Sequence, residues 1–175
     1  MSIRPTFPRM PHFSRILLMG LLCLSATAQA EKPARADIVI ERPGIALAGA
    51  RRVIAAAITE AARGNWAISV AVVDAAGELV AFEKHDAAIG ISPAVAIGKA
   101  RTAALLRAPS KQFEDFINAG RPSFLSTPGA TALEGGVPIV IDGRVIGAVG
   151  VSGAHGANDS RVATVAAAAI EHPRE

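Results

Sequence analysis

The sequence predicts an α/β (α+β) domain in which two β-hairpins form a central antiparallel sheet flanked by helices. Short apolar runs of strand length occur in two pairs, and a turn containing Asp and Gly joins the members of each pair. Longer stretches with an apolar period of about 3.6 residues lie before, between and after the pairs. Adjacent hairpins favour an antiparallel sheet packed against helices, and the continuously apolar strands predict positions buried on both faces.

The first half of the chain contains a helix and the first hairpin. Apolar residues recur with helical spacing from Ile45, and Gly64 is a natural helix stop. Residues 67–73 are almost continuously apolar, which predicts a buried strand. Residues 74–77 have turn composition, and residues 78–84 are predicted as the returning strand.

Two helices are predicted between the hairpins. The first spans about 92–107, with Ser92 as N-cap and Pro93 at the first helical position. Pro109 prevents its continuation, and Ser110 can cap a shorter helix that ends near Gly120.

The second hairpin follows a loop predicted at 120–136. Its strands are predicted at 137–141 and 144–151, joined by Asp142-Gly143, a strong hairpin signal. A last helix is predicted to run to about Ile170, with a cap at one of three adjacent polar residues, Asn158, Asp159 or Ser160.

The first thirty residues have the organisation of a secretory signal peptide. Three arginines precede an apolar run at 16–24, and Ala28-Gln29-Ala30 forms a small-x-small cleavage site. The run is shorter than the roughly 20 residues of a transmembrane helix, so no stable membrane insertion is expected. The sequence therefore predicts cleavage after Ala30, a periplasmic or extracellular location, and one domain at 31–175.

Charge argues against polyanionic partners. The chain has 18 Lys and Arg against 15 Asp and Glu, a net charge of +3, and three of the basic residues lie in the signal segment. Without them the net charge is zero, which gives no electrostatic reason to bind nucleic acid or an anionic membrane.

Candidate functional residues are few, and no standard catalytic signature is present. The histidines His85 and His155 follow predicted strands and are conceivable iron ligands, or ordinary loop residues, whereas His172 lies in the tail. Lys99 and Thr102 share a helical stripe. Lys99 either binds an acidic group or extends to solvent over the edge of the core, and Thr102 either contacts a ligand or bonds back to its own helix.

Glycines mark the end of the last predicted strand. Gly147, Gly150 and Gly153 recur every third residue, which usually indicates close backbone approach. The turn at 152–159 leads into a helix N-terminus, where free N–H groups favour an anionic group or a water molecule.

Four segments together resemble the GlcG/HbpS haem-binding family, which is related to the C-terminal domain of PduO-type corrinoid adenosyltransferases. They are ISVAVVDAAGELVAF at 68–82, GKARTAAL at 98–105, NAGRPSFL at 118–125 and LEGGVPIVIDGRVIGAVGVSG at 133–153. The resemblance implies a profilin-like fold, assembly into dimers or larger homo-oligomers, and binding of haem or a similar tetrapyrrole. Many relatives have Met at the position of His85, so the resemblance does not transfer a ligand there.

The resemblance and the residues together predict a haem pocket between the helix at 92–107 and the turn at 152–158, close to His85. The matching Lys-Ala-Arg-Thr-Ala block implies that Thr102 is a pocket or iron-proximal residue. The expected cofactor-binding residues are Lys99, Thr102, His85, His155 and Gly153, with Thr102, His85 or His155 contacting iron.

Three functions follow as hypotheses. The first is an exported protein that sequesters, buffers or senses haem, with a membrane sensor as a conceivable partner. The second is an enzyme or enzyme subunit acting on a small hydroxy or keto acid, because some relatives are associated with glycolate utilisation. The absence of an obvious acid–base pair counts against it. The third is a structural oligomer without a cofactor.

Overall fold

The structure is a computed structural model that describes residues 39–170. The proposed signal segment and His172 lie outside the described residues. The elements are α1 (Leu47–Arg63), β1 (Ser69–Asp74), β2 (Leu79–Lys84), α2 (Ser92–Leu106), α3 (Lys111–Asn118), a 3₁₀ helix (Pro122–Ser126), β3 (Gly136–Ile141), β4 (Arg144–Ser152) and α4 (Ala157–Ala168). The predicted order of helices and hairpins is confirmed. Within the described residues no helix has the length and apolarity needed to cross a membrane.

The four strands form one antiparallel sheet in the order β2-β1-β4-β3. The central strands pair with Val70 opposite Val151 and Val72 opposite Val149. These residues are almost completely buried, which confirms the prediction that the most apolar strands are central. The second strand of each hairpin therefore differs in environment, because β2 is an edge strand and β4 is not.

Helices cover both faces of the sheet. α1 and α4 pack on one face over a core of large apolar residues that includes Val53, Ile139 and Val162. α2 covers the other face, and its contacts are made by alanines such as Ala96 and Ala100. The two faces thus differ in the size of the side chains that separate helix from sheet.

Glycines bring α2 unusually close to the sheet. A Cβ atom at Gly150 would lie 2.1 Å from the carbonyl oxygen of Ala96, and one at Gly136 would lie 2.1 Å from the carbonyl oxygen of Lys99. No side chain fits at either position. The expectation that the strand glycines mark close backbone approach is confirmed at Gly150.

The predicted caps of α2 and α4 are wrong. The N-cap of α2 is Ile91, and the hydroxyl of Ser92 instead lies 2.8 Å from that of Ser69 and donates to the carbonyl of Ile89 at 2.7 Å. The N-cap of α4 is Gly156, two or more residues before the polar residues expected there. Ser92 is completely buried, so its hydroxyl must find partners in the interior rather than at the helix end.

Ser110 occupies the N-cap position of α3 without capping it through its side chain. Its hydroxyl donates to the carbonyl of Leu133 at 2.6 Å and accepts the N–H of Gly136 at 2.9 Å. The serine therefore connects the start of α3 to the segment that enters β3.

The predicted loop at 120–136 is interrupted by the 3₁₀ helix. Phe124 in that helix packs against Phe113 and Phe116 of α3, with ring centroids 5.2 and 4.8 Å apart. Arg121 stacks on the Phe116 and Phe124 rings. These aromatic contacts give the segment an ordered structure that its proline and glycine content did not predict.

A buried carboxylate connects α1 to α4. The side chain of Glu60 is 3% exposed and accepts hydrogen bonds from Arg161 at 2.6 Å and Arg63 at 2.7 Å. The Arg161 hydrogen bond, assisted by Arg63, holds the pKa of the Glu60 carboxyl below its usual value despite the opposing effect of desolvation.

Candidate functional site

A cleft of about 260 Å³ lies between α2 and the turn that follows β4. We call it the α2 cleft. It brings together three of the five predicted site residues, Lys99, Gly153 and His155. The other lining residues are Ile89, Val95, Glu114, Leu133, Glu134, Ser152, Gly156 and Asp159. The haem pocket was expected between the helix at 92–107 and the turn at 152–158, close to His85. This cleft lies between those two elements, but His85 does not line it.

His155 lies at the tip of the turn with an exposed side chain. Its backbone φ is +66°, and the neighbouring Gly153 and Gly156 have φ values of +130° and +36°. Within residues 39–170 its ring nitrogens make no hydrogen bond, unlike those of His85. A neutral imidazole without a partner is able to ligate a metal.

Gly153 allows the turn to pack against the start of the first hairpin. A Cβ atom there would lie 2.4 Å from the carbonyl oxygen of Ala67. The positive φ also favours glycine. The residue thus shapes the wall of the cleft through the path of its backbone.

Lys99 is buried and does not extend to solvent, so the interpretation that it lies over the core edge with an exposed ammonium is wrong. Its Nζ donates to Oδ2 of Asp159 at 2.8 Å and to the carbonyl of Val151 at 3.0 Å. Gly136 and Gly150 explain the burial, because they let α2 approach the sheet until the lysine is enclosed. The positive charge is therefore compensated within the protein.

Thr102 lies on the same helix but does not line the α2 cleft. Its hydroxyl donates to the carbonyl of Gly98 at 2.8 Å, which is the expected bond back to its own helix. It also accepts the N–H of Thr131 at 2.7 Å. These contacts hold the 127–133 segment against α2. The assignment of Thr102 as an iron-proximal residue stays a prediction.

His85 lines a different pocket of about 400 Å³, formed by the end of α1 and the first hairpin, with Trp66, Ile68 and Glu83. Its Nδ1 accepts the N–H of Ala87 at 3.1 Å. Four of the five predicted site residues are thus divided between two pockets, and Thr102 lines neither. The role of His85 as a ligand stays a prediction.

Sequence reasoning missed the acidic residues of the α2 cleft. Asp159 pairs with Lys99, and Glu114 accepts the N–H of Glu134 at 2.6 Å. Glu134 in turn accepts a hydrogen bond from Ser160 at 3.3 Å. These three acidic residues come from three separate parts of the chain, so no local sequence motif predicts that they meet. In the region from 39 to 170, no three His, Cys, Asp or Glu side chains come together as a ligand set for a metal ion.

Two large apolar side chains are exposed at the cleft. Ile89 and Leu133 are 61% and 46% exposed at the cleft, although both are large apolar residues. Such a surface can bury an apolar ligand, and the imidazole of His155, which makes no hydrogen bond within residues 39–170, can ligate a metal.

Comparisons with known proteins identify the family of this chain. Residues 45–168 match the family model described as "Haem degrading protein HbpS-like". The chain is 48% identical over 103 residues to Protein GlcG of Escherichia coli strain K12, covering 59% of this chain and 77% of that protein.

Solved structures show the same fold. A double mutant of HbpS from Streptomyces reticuli is 30% identical, with a TM-score of 0.73, covering 83% of this chain and 99% of that chain. The PduOC domain in complex with heme is 24% identical, with a TM-score of 0.67, covering 73% of this chain and 95% of that chain, and it shows likeness of fold alone.

Proposed function

The chain belongs to the HbpS-like family, and on that premise we propose that it is an exported haem-binding protein that sequesters, buffers or reports haem outside the cytoplasm. The family description refers to haem, and PduOC was solved as a heme complex. The observation that carries the proposal is the exposed imidazole of His155, which has no hydrogen-bond partner among residues 39–170 and lines the α2 cleft together with Ile89 and Leu133.

Specific residues have separate roles in this proposal. His155 supplies the iron ligand, and Ile89 and Leu133 contact the macrocycle. Gly153 determines the backbone path of the turn, and Lys99 pairs with Asp159 beneath the turn. When bound, haem supplies an iron centre able to exchange ligands and electrons.

Hemin titration of the purified protein tests the proposal. We expect a saturable Soret shift at one haem per protomer or per dimer. His155→Ala should weaken binding by about 10-fold or more, because an iron–nitrogen bond is lost, whereas His85→Ala is the matched histidine control. A protein that shows no saturable shift would contradict haem binding and leave the small-acid enzyme or the structural oligomer.

The variants also separate the ligand alternatives. If neither histidine substitution changes the spectrum, histidine ligation is wrong, and Thr102→Ala then tests the oxygen ligand, which would leave ferric haem high-spin. If Lys99→Ala, Thr102→Ala and both histidine variants all bind hemin like the parent, the haem site lies outside both pockets.

Export is the second part of the proposal, and it is supported by the organisation of residues 1–30. Mass spectrometry of the protein from its native host should give a chain that begins at Glu31. Recovery of the uncleaved chain from the cytosol would overturn export without affecting the haem-binding test.

A further inference from the structure

A buried ion pair lies directly beneath the turn that carries His155. We propose that Asp159, whose charge Lys99 compensates, acts as a positioning residue, which holds this turn in the conformation that presents the imidazole of His155 to the α2 cleft. The role assigned to His155 rests on the proposed function, whereas the holding of the turn is independent of it.

The two oxygens of Asp159 have different partners. Oδ1 accepts the N–H of Ala154 at 2.7 Å, and Oδ2 accepts a hydrogen bond from Nζ of Lys99 at 2.8 Å. Nζ of Lys99 also donates to the carbonyl of Val151, at 3.0 Å. The pair therefore connects α2 to the backbone on the N-terminal side of His155, and both side chains are 4% exposed.

The turn needs such contacts because its backbone is intrinsically unfavourable. His155 has a φ of +66°, in the left-handed region that a residue with a Cβ atom seldom adopts. Asn158 adds two further bonds, from its side chain to the carbonyl of Ala154 and from its N–H to the carbonyl of His155, both 2.9 Å long. Strain of this kind persists where the surroundings over-determine the conformation.

Gly135 leaves the space that the Lys99–Asp159 pair occupies. A Cβ atom at Gly135 would lie 2.8 Å from Cβ of Asp159 and 2.9 Å from Nζ of Lys99. Glycine at this position gives the ammonium room to reach both acceptors. The geometry is therefore supported by a third segment of the chain, at the entry to β3.

Stability alone does not require a buried ion pair here. Apolar residues of similar volume often replace such pairs without loss of stability. Apolar residues could not replace the hydrogen bond to the turn, because only Asp159 supplies an acceptor to the buried N–H of Ala154. This difference allows a positioning role to be separated from a structural one.

Two double variants distinguish the positioning role from a purely structural one. Lys99→Met with Asp159→Asn removes both charges but keeps a side-chain oxygen for the N–H of Ala154. Lys99→Met with Asp159→Leu removes the charges and the acceptor together. Glu60→Gln is the control, because it alters a buried carboxylate of the same domain whose partners, Arg63 and Arg161, do not line the α2 cleft.

The first measurement is hydrogen exchange of the Ala154 amide in the haem-free protein. We expect the Asn double variant and Glu60→Gln to protect this amide like the parent, and the Leu double variant to exchange at least about tenfold faster. Equal protection in the Leu variant, or equal loss in both double variants, would overturn the proposal. If the Leu variant fails to fold, Lys99→Met with Asp159→Ala replaces it.

The second measurement is hemin binding by the same proteins. The Leu double variant should bind about 10- to 100-fold more weakly, with a changed spin-state spectrum, and the Asn double variant should restore the parental spectrum. Parental hemin binding and spectrum in the Leu variant would overturn the positioning role. If the parent itself binds no hemin, the proposed function fails, while the exchange measurement still decides whether the pair holds the turn.

Discussion

His155 combines an unfavourable backbone with a side chain that has no structural partner within residues 39–170. A left-handed conformation costs a residue with a Cβ atom roughly 1–2 kcal/mol. Glycines flank it at 153 and 156, so the chain already uses glycine for the other positive φ values of this turn. The histidine between them therefore carries backbone strain that a glycine would not.

Glycine at this position should stabilise the fold relative to alanine. We expect His155→Gly to be more stable to urea than His155→Ala by about 1 kcal/mol, since the strain is relieved in one and kept in the other. Both variants should bind hemin more weakly than the parent, and by the same factor. If alanine proves as stable as glycine, the turn carries no such strain.

The two candidate histidines differ in the state of their rings. Nδ1 of His85 accepts the N–H of Ala87, which places the proton of the neutral ring on Nε2. Ligation through Nε2 would require that proton to move and the contact with Ala87 to break. His155 has no such contact to lose, which is why its substitution is expected to have the larger effect on hemin binding.

At the scale of elements, the contact between α2 and the sheet determines where the site residues lie. Ala96 and Ala100 of α2 face Gly150, and the backbone of Lys99 faces Gly136, so that the helix axis approaches the sheet closely. Lys99 is buried by this approach and reaches Asp159 across the sheet end. The position of α2 therefore determines both the cleft and the pair beneath it.

Adding a single methyl group at Gly150 should test this packing. We expect Gly150→Ala to lower the free energy of unfolding by about 1–3 kcal/mol or more, because the new Cβ would lie 2.1 Å from the backbone oxygen of Ala96. The control is Gly90→Ala, where no atom lies within 4 Å of the added carbon. Urea unfolding should show a lower free energy of unfolding for Gly150→Ala but not for Gly90→Ala. A Gly150→Ala variant as stable as the parent would contradict the close packing.

At the scale of the whole molecule, apolar surface remains on the side of α1 and β2. Leu47 is 47% exposed, Phe82 37%, and both line a groove of about 470 Å³ between these elements. Without the three arginines of residues 1–30 the chain has no net charge to keep copies apart. These features agree with the expectation of association between copies.

We predict a symmetric homo-oligomer built from two-fold dimers. Light scattering of the purified protein at micromolar concentration should give a multiple of the protomer mass. A monomer mass under these conditions would contradict the prediction.

The sequence by itself determined the elements and their order, because each depends on neighbouring residues. Periodicity located the helices and strands, and the turns at 74–77 and Asp142-Gly143 paired the strands into hairpins. The four matching segments were also sufficient to identify the family, since their order and spacing are read directly along the chain.

Only the tertiary structure decided which of the candidate residues meet. Lys99 and Asp159 are 60 positions apart, and nothing local to either shows that packing of α2 on Gly136 and Gly150 buries them together. The same packing places Lys99 and His155 in one cleft and leaves His85 to another pocket. Burial and pairing of polar groups depend on long-range contacts, so the sequence supplied the candidates and the fold determined their partners.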